Sequence, residues 1–270
     1  MDLSGRCVLL TGGSRGIGPV IAEALARRGA HLALTARSEE GLHRTLDALR
    51  PHGVRTIAIP ADLAHAAERE RVVARVLDEF GRVDVLLNNA GLETEGAFVE
   101  LPWERLAETI EVNLTAPVHL THLLLPQMLT RSQGHVVHVS SLAGKAAIPY
   151  AAMYSGTKAA LARWSDGLRR EIGASGVRIS TVFPGFVTEQ GMFARSGMQP
   201  PRLLGSCTPA QVAAAVVEAI ESGRSEVVVN SLPVRPVVAL GELFPSFADW
   251  ALRRLGVTEL QRRKVGAPPP

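Results

Sequence analysis

Short apolar runs alternate with longer segments of helical periodicity along most of this chain, and this alternation constrains the fold more than any other feature. Near-continuous apolar strands separated by helices are typical of a parallel sheet that helices cover on both faces. Because crossover connections between parallel strands are right-handed, we predict a doubly wound α/β sheet of about seven strands rather than an eightfold barrel. The predicted strands are Arg6–Thr11, His31–Ala36, Val54–Pro60, Val83–Leu87, His135–Val139, Val177–Phe183 and Glu226–Val229. The predicted helices are Gly16–Arg28, Ser38–Arg50, Ala64–Phe80, Leu106–Thr130, Met153–Ala174 and Pro209–Ser222.

The chain is long enough for one large α/β domain, with 270 residues of which 46% are hydrophobic and 20% charged. This composition excludes an intrinsically disordered chain and a disulfide scaffold. No linker interrupts the pattern before residue 232, so we predict one domain over residues 1–231. Residues 232–270 are predicted to form a partly helical C-terminal extension that ends in a frayed, disordered tail over 262–270.

Cysteine usage and the absence of targeting signals indicate where the protein works. Cys7 and Cys207 lie far apart and are expected to be reduced thiols. The first residues do not form a secretory signal, and no apolar stretch reaches the roughly 20 residues of a membrane span. The net charge of +3 and the short basic run Arg262–Lys264 give no indication of a nucleic-acid partner. We therefore expect a cytoplasmic protein.

The first predicted strand runs into a glycine-rich turn, Gly12–Gly18, directly before the first predicted helix. Glycines in such a turn let the backbone approach a pyrophosphate, which the free N–H groups at the helix N-terminus stabilise. The spacing is Gly-x3-Gly-x-Gly, whereas the commoner dinucleotide-binding fingerprint is Gly-x-Gly-x2-Gly. Since many α/β turns need glycine for geometry alone, this turn by itself is a weak indication of a nucleotide site.

Further motifs follow the turn in a regular order, each at the end of a predicted strand or within a predicted helix. They are Asn88-Asn89-Ala90-Gly91, Asn113, Ser141, Tyr154-x3-Lys158 and Pro184-Gly185. Together with the glycine-rich turn, they resemble the classical branch of the short-chain dehydrogenase/reductase family over most of the chain. The resemblance implies a Rossmann-like fold, a nicotinamide cofactor and hydride transfer between that cofactor and a carbonyl or alcohol substrate.

Tyr154 and Lys158 are predicted to form the catalytic pair, because their spacing places them on one face of a helix. A free phenol has a pKa of about 10, too high for efficient proton exchange near neutrality, and a nearby ammonium is expected to lower it. The resemblance implies that Tyr154 is the general acid and that Lys158 also holds the nicotinamide ribose. It further implies that Ser141 orients the substrate carbonyl and that the backbone of Asn113 holds a water linking the lysine to solvent.

Charge at the end of the second predicted strand predicts which nicotinamide cofactor is preferred. An acidic residue there binds the ribose 2′-hydroxyl of NAD, but this chain has Arg37, and Arg15 lies in the glycine-rich turn. Because guanidinium groups suit a 2′-phosphate, we predict NADP(H) over NAD(H). Asp62 matches the family position that contacts adenine, and by itself equally fits a helix N-cap. The candidate cofactor-binding residues are Gly12, Ser14, Arg15, Gly16, Ile17, Gly18, Arg37, Asp62, Leu63, Asn89, Ala90, Gly91, Tyr154, Lys158, Pro184, Gly185, Val187 and Thr188.

The segments expected to surround the substrate follow Pro184-Gly185 and include the C-terminal extension, and they match the family's sequence motifs less well than the cofactor site does. The family often reads Pro-Gly-x-Val-x-Thr, whereas Thr188 here directly follows Val187, one residue short. Gln190–Cys207 is rich in glycine and proline and is predicted to be a mobile lid with apolar contacts. An aromatic stripe, Phe244, Phe247 and Trp250, is predicted to be core or a subunit contact, with a substrate or membrane contact as the alternative. The eight histidines show no metal-ligand spacing, so no metal is expected.

These observations favour an NADPH-dependent oxidoreductase that reduces a ketone or aldehyde with an apolar or lipid-like body. One alternative is an NAD(P)-dependent dehydrogenase of secondary alcohols, including steroid-like or 3-hydroxyacyl substrates. An alternative of another class is a catalytically inactive dinucleotide-binding regulatory protein, which the intact set Ser141, Tyr154, Lys158 and Asn113 disfavours. The resemblance also implies a homodimer or homotetramer.

Overall fold

A computed structural model describes residues 1–200 and 204–266 of the chain. It contains a seven-stranded sheet whose strands all run parallel, in the order β3-β2-β1-β4-β5-β6-β7. The strands are β1 Cys7–Thr11, β2 His31–Ala36, β3 Thr56–Pro60, β4 Val85–Asn88, β5 Gly134–Val139, β6 Val177–Pro184 and β7 Glu226–Val229. The predicted doubly wound α/β fold is therefore confirmed.

Within the described residues, ten α-helices surround the sheet or follow it in the chain. They are α1 Ile17–Ala26, α2 Glu39–Leu49, α3 Ala66–Phe80, α4 Trp103–Ile110, α5 Ala116–Thr130, α6 Ala152–Ile172, α7 Pro209–Ser222, α8 Arg235–Leu243, α9 Pro245–Arg254 and α10 Val257–Lys264. Local chemistry sets several of their ends. The Ser38 hydroxyl accepts a hydrogen bond from the backbone of Gly41 at the start of α2, as predicted, and Gly81 ends α3 in the left-handed conformation.

Alternating side chains of the buried strands pack into two separate apolar layers. Val8 and Leu10 of β1 contact the layer formed with α1, α2 and α7. Leu9 belongs to the opposite layer, which includes side chains from α3, α5 and α6. Since β1 and β4 are neighbours while β2 and β3 lie on the far side of β1, the strand order reverses between β1 and β4. Ligands of doubly wound sheets bind at the carboxyl ends of the strands at such a point.

The long helix predicted over Leu106–Thr130 differs from the structure. It begins earlier, at Trp103, and a π-helical segment, Glu111–Thr115, separates α4 from α5. Asn113 lies in this segment and exchanges two hydrogen bonds with the backbone of Leu92, at 2.7 and 2.8 Å. These bonds tie the widened turn to the loop after β4, which explains why helical periodicity alone did not predict it.

The helical part of the C-terminal extension reaches closer to the C-terminus than predicted. The frayed tail was expected from Arg262, but α10 continues to Lys264, whose side chain is only 6% exposed. The last part of that prediction, residues 267–270, lies outside the described residues. Within the described ranges no helix is both long and apolar enough to cross a membrane.

Candidate active site

The glycine-rich turn lies at the carboxyl end of β1, pressed against the loop that follows β4. Gly12 and Gly16 have positive φ angles, 72° and 63°, which favour glycine. A Cβ on Gly12 would lie 2.9 Å from the Ala90 Cα, and a Cβ on Gly18 would lie 2.0 Å from the Gly12 carbonyl oxygen. Side chains are therefore excluded at Gly12 and Gly18, which leaves exposed backbone in front of α1 that fits the pyrophosphate of a dinucleotide.

A small polar network holds the two loops together. The Thr11 hydroxyl accepts hydrogen bonds from the backbone N–H groups of Asn89, at 3.0 Å, and Ala90, at 2.9 Å. The Asn89 side-chain amide donates to the Thr11 carbonyl oxygen at 2.9 Å. The glycine-rich turn and the Asn89-Ala90-Gly91 sequence thus form one rigid edge of the site.

A cavity of about 840 Å³ extends from this edge to the C-terminal helices. It is lined by most of the residues predicted from the sequence: Gly12, Ser14, Arg15, Gly16, Ile17, Arg37, Asp62, Leu63, Asn89, Ala90, Gly91, Ser141, Tyr154, Lys158, Pro184, Gly185 and Val187. Three predicted residues, Gly18, Asn113 and Thr188, do not line it. Gly18 lies behind the turn, where it allows α1 to approach β1.

Two arginines and one aspartate border the cavity at the end predicted for the adenosine. Arg37 follows β2, is half exposed, and pairs with Glu108 of α4 at 3.2 Å. Arg15 is exposed in the turn. Asp62 accepts a hydrogen bond from the Ala64 backbone at 3.0 Å, but the N-cap of α3 is His65, so the N-cap alternative for Asp62 is wrong.

Tyr154 and Lys158 lie in the first two turns of α6, as their spacing predicts. The Lys158 side chain is buried, and its ammonium donates a hydrogen bond to the Val139 carbonyl oxygen at 2.8 Å and lies 5.9 Å from the centre of the Tyr154 ring. Burial lowers the pKa of Lys158 to about 8. Burial and the nearby Glu93 raise the pKa of Tyr154 above its ordinary value. The expectation of a lowered phenol pKa is therefore not met here, and burial is the largest cause of the rise.

Two serines at the end of β5 connect the sheet to the tyrosine helix. Ser141 hydrogen-bonds to Tyr154, which acts to lower the phenol pKa, and its hydroxyl also accepts from the Ala143 backbone at 3.1 Å. The neighbouring Ser140 donates to the Lys158 carbonyl oxygen at 2.9 Å and so fixes α6 against the strand. Ser141 and Tyr154 thus present two hydroxyl groups together at the cavity wall, as predicted.

Asn113 is fully buried and supports the site from behind. Its side-chain amide bonds to Leu92 on the β4 loop and to the Thr157 hydroxyl of α6 at 3.1 Å. A Cβ on Gly91 would lie 3.4 Å from both the Asn113 side-chain oxygen and the Lys158 ammonium. Asn113 therefore joins the β4 loop to the tyrosine helix, while the predicted water relay through its backbone stays a prediction.

An ionic cluster of Lys264, Glu93 and Glu95, which was not predicted, lies between the β4 loop and the C-terminal extension. Lys264 of α10 contacts the carboxylates of Glu95, at 2.6 Å, and Glu93, at 3.4 Å. Burial and the neighbouring Glu95 raise the pKa of Glu93 to about 6, although Lys264 acts in the opposite direction. The Lys264 ammonium also lies 5.5 Å from the ring centre of Phe193, in the predicted lid. One cation therefore links the β4 loop, the lid and the C-terminal extension.

The lid region corrects one further prediction, the placement of Thr188. Thr188 does not face the cavity, because its hydroxyl donates to the Cys207 carbonyl oxygen at 3.3 Å and Val187 forms a parallel bridge with Cys207. Within the lid, Met192, Phe193 and Leu204 line the cavity, whereas Leu203 lies outside the described residues.

The aromatic stripe of the extension is not core. Phe244 and Trp250 are each 57% exposed and Phe247 is 37% exposed. Phe247 lines the cavity, so it belongs to the wall of the site, and a subunit contact through the other two rings stays a prediction.

Comparison with known proteins shows similarity in both sequence and fold. The family model for short chain dehydrogenases matches residues 6–199. A curated relative, the ketoacyl reductase HetN of Nostoc sp., is 39% identical over 268 residues, covering 97% of this chain and 93% of the relative.

Two solved structures resemble the chain closely in fold. A metagenomic short-chain oxidoreductase in complex with NADP has a TM-score of 0.73 and 32% identity, over 86% of this chain and all of the other. A short chain dehydrogenase/reductase from Burkholderia phymatum in complex with NAD has a TM-score of 0.80 and 25% identity, over 92% of this chain and 96% of the other.

Proposed function

Because the chain belongs to the short-chain dehydrogenase family and is thus an NAD(P)-dependent oxidoreductase, we propose that it reduces a ketone or aldehyde with an apolar body, with NADPH as the preferred cofactor. The observation that carries the proposal is the pair of hydroxyl groups, Ser141 and Tyr154, at the wall of a largely apolar cavity beside the buried Lys158. The ketoacyl reductase name of the Nostoc relative supports a carbonyl substrate.

The protonated phenol of Tyr154 suits the role of proton donor in carbonyl reduction. Its raised pKa keeps the phenol protonated near neutrality, which is the form that can donate a proton to a carbonyl oxygen. Ser141 is placed to share that oxygen and to stabilise the negative charge that develops on it. A bound nicotinamide supplies the hydride. Lys158 then holds positive charge next to the phenolate and can restore its proton. Oxidation of a secondary alcohol follows the same path in reverse and needs the phenolate, which burial disfavours.

NADP preference rests on the two arginines that border the cavity, Arg15 and Arg37, and on the lack of a carboxylate at the end of β2. The metagenomic neighbour binds NADP, whereas the Burkholderia neighbour binds NAD. A 2′-phosphate would compete with Glu108 for the Arg37 guanidinium.

A homo-oligomer and a cytoplasmic location belong to the same proposal. Phe98 and Val99, in a short 3-10 turn before α4, and Trp103, the first residue of α4, are 60%, 92% and 68% exposed. An apolar surface of this kind supports a subunit contact. Cys7 and Cys207 are buried free thiols, which agrees with a reducing compartment. Sedimentation analysis tests the first part, and a protein that stays monomeric at micromolar concentration would contradict it.

A panel of ketones and aldehydes with increasing apolar chain length tests the activity, with consumption of NADPH or NADH followed by absorbance. We expect NADPH-dependent turnover that improves with the length of the apolar body. Absence of turnover for the whole panel, together with NADP-dependent oxidation of secondary alcohols at neutral pH, would show that the dehydrogenase alternative is correct. Binding of NADPH without turnover in either direction would instead support the inactive regulatory protein.

A further inference from the structure

The helices α8 and α9 carry a high concentration of exposed apolar side chains. Eleven large apolar side chains are exposed among the described residues, and six of them belong to these two helices and the residue that joins them. They are Val237, Leu240, Leu243, Phe244, Phe247 and Trp250, with exposed fractions between 37% and 74%. We call these six side chains the α8–α9 face. Apolar patches on soluble monomers are usually smaller, and larger ones mark the contact with a partner or a membrane.

The side chains of the α8–α9 face are neighbours in space. Leu240 and Phe244 are four residues apart and Phe247 and Trp250 are three apart, so each pair lies on one side of its helix. The Phe247 N–H donates to the Phe244 carbonyl oxygen at 3.0 Å, which brings the two pairs together. The rings of Phe247 and Trp250 lie 5.8 Å apart between their centres. The exposed residues therefore form one patch.

The other side of the same helices lines the cavity. Val238 and Leu252 are partly buried there. Val237 and Phe247 belong both to the cavity lining and to the α8–α9 face, so the cavity opens beside this face. Asp249, the one carboxylate of α9, is exposed at the same opening. Both sides of the helices are thus mainly apolar, and helices of that kind are normally covered all round.

Basic side chains border the α8–α9 face. Arg253 and Arg254 follow Trp250 at spacings of three and four, so they lie at the end of the aromatic stripe. Both are exposed, and neither forms an ion pair with a described residue. The extension from residue 232 has six arginine or lysine residues against three acidic ones, so it carries the whole net charge of +3. Aromatic and leucine side chains bordered by arginine are typical of helices that lie in a membrane interface.

A second copy of the chain fits this face less well than a lipid surface does. A stable interface takes about 20–30 residues a side. The two helices have only nine and ten residues, several of which face the cavity instead. A two-fold contact uses the same patch on both copies, so it would also bring two positively charged surfaces together. An anionic bilayer surface meets neither difficulty.

We propose that the α8–α9 face docks on the surface of a bilayer that contains anionic lipid, with Arg253 and Arg254 at the lipid phosphates. The cytoplasmic leaflet carries the anionic lipids, which agrees with the proposed location. Because the cavity opens beside the face, a ketone or aldehyde dissolved in the bilayer would reach it without crossing water. This delivery of substrate rests on the proposed function, whereas the docking does not.

Flotation with vesicles measures the docking without substrate or cofactor. The natural protein should bind vesicles of phosphatidylcholine with phosphatidylserine more strongly than vesicles of phosphatidylcholine alone. Leu243→Gln, at a residue outside the cavity lining, should weaken this binding by about tenfold, and Leu243→Met should restore it. Arg254→Gln should weaken it by about fivefold, and Arg254→Lys should restore it. Arg170→Gln is the matched control, because Arg170 is exposed at the end of α6, and it should bind normally.

Quenching of tryptophan fluorescence by brominated lipid identifies the surface that touches the bilayer. The chain has three tryptophans, Trp103, Trp164 and Trp250, and only the last belongs to the α8–α9 face. Anionic vesicles with brominated acyl chains should quench the fluorescence of the natural protein. Trp250→Phe keeps an aromatic ring, so it should still float with the vesicles but lose most of the quenching. Trp103→Phe should keep the quenching.

Several outcomes would overturn the docking: no flotation of the natural protein, equal binding by Leu243→Gln and Arg254→Gln, or unchanged quenching in Trp250→Phe. A dimer that Leu243→Gln converts into monomers, with no vesicle binding, would assign the face to a second copy instead. For delivery, Leu243→Gln should lower turnover of a long-chain ketone held in the vesicles but not of a short, water-soluble ketone. Equal effects on both ketones would contradict delivery from the bilayer. Absence of all turnover would refute the proposed function, and delivery with it, while the docking result stands.

Discussion

Glu93 gives the most direct link between the buried ionic cluster and a measurable quantity, the pH dependence of stability. Its side chain is 18% exposed, and burial together with Glu95 raises its pKa from 4.5 to about 6. A carboxyl group with a raised pKa binds more protons in the folded than in the unfolded state between these values, so the free energy of unfolding falls as pH rises through this range. A shift of this size corresponds to about 2 kcal/mol, which is lost by neutral pH.

Glu93→Gln removes this titration while keeping the shape of the protonated side chain. At pH 4 the variant should be about as stable as the natural protein. At pH 7 it should be more stable by about 2 kcal/mol, because Lys264 keeps its contact with Glu95 at 2.6 Å and the buried charge of Glu93 is gone.

Equilibrium urea unfolding between pH 4 and pH 7.5, followed by far-UV circular dichroism, measures the difference in the free energy of unfolding at each pH. Glu100→Gln is the control, because Glu100 is exposed on the same connection between β4 and α4. Its stability should run parallel to that of the natural protein. Parallel curves for Glu93→Gln as well would refute the account of a buried, destabilising carboxylate.

Three further variants test the other parts of the site. Arg37→Ala should weaken NADPH binding by about 1.5–3 kcal/mol in a fluorescence titration and leave NADH binding nearly unchanged. Glu108→Gln, which removes the carboxylate paired with Arg37, should tighten NADPH binding. Equal losses of affinity for both cofactors in Arg37→Ala would contradict the assignment. Lys158→Met should lower both turnover and NADP affinity, because it removes the ammonium that is proposed to hold the nicotinamide ribose and to return the proton to Tyr154. Unchanged turnover and unchanged affinity would show that Lys158 has no catalytic role. Lys264→Met leaves the largely buried carboxylates of Glu93 and Glu95 without their cation, and it should lower the free energy of unfolding at pH 7 by about 3–5 kcal/mol. Lys264→Arg should recover part of that loss. A loss no larger than that caused by Arg263→Met, on the same helix, would contradict this role.

The sheet and most of the cofactor edge could be predicted because their signals are local. Uninterrupted apolar runs predicted β2 and β7 with their observed ends, and the glycine-rich turn marked the junction of β1 and α1. Side chains in these segments are fixed by burial within the strand or by the steric needs of the turn, and both are visible in a short window of sequence.

The unpredicted features depend on contacts between distant residues. The π-helical turn around Asn113 is stabilised by Leu92, 21 residues earlier, and Lys264 is paired with Glu95, 169 residues away. Three basic residues before a proline-rich end are typical of a solvated tail, so the last turn of α10, Arg262–Lys264, was missed. The acidic pair Glu93 and Glu95 beside the Asn89-Ala90-Gly91 motif was the one available signal that a cation belongs there.

The central claim, that Tyr154 donates the proton in NADPH-dependent carbonyl reduction, is tested most directly by Tyr154→Phe, with Tyr150→Phe as the matched control on the other tyrosine. Only a hydroxyl is removed, so the free energy of unfolding and the Kd for NADPH should change little in both variants. Single-turnover oxidation of NADPH with the best ketone of the panel should proceed normally in Tyr150→Phe and be lost almost completely in Tyr154→Phe. A general acid typically contributes at least about a hundredfold to the rate. If Tyr154→Phe loses only about tenfold or less relative to the natural protein, the account is contradicted.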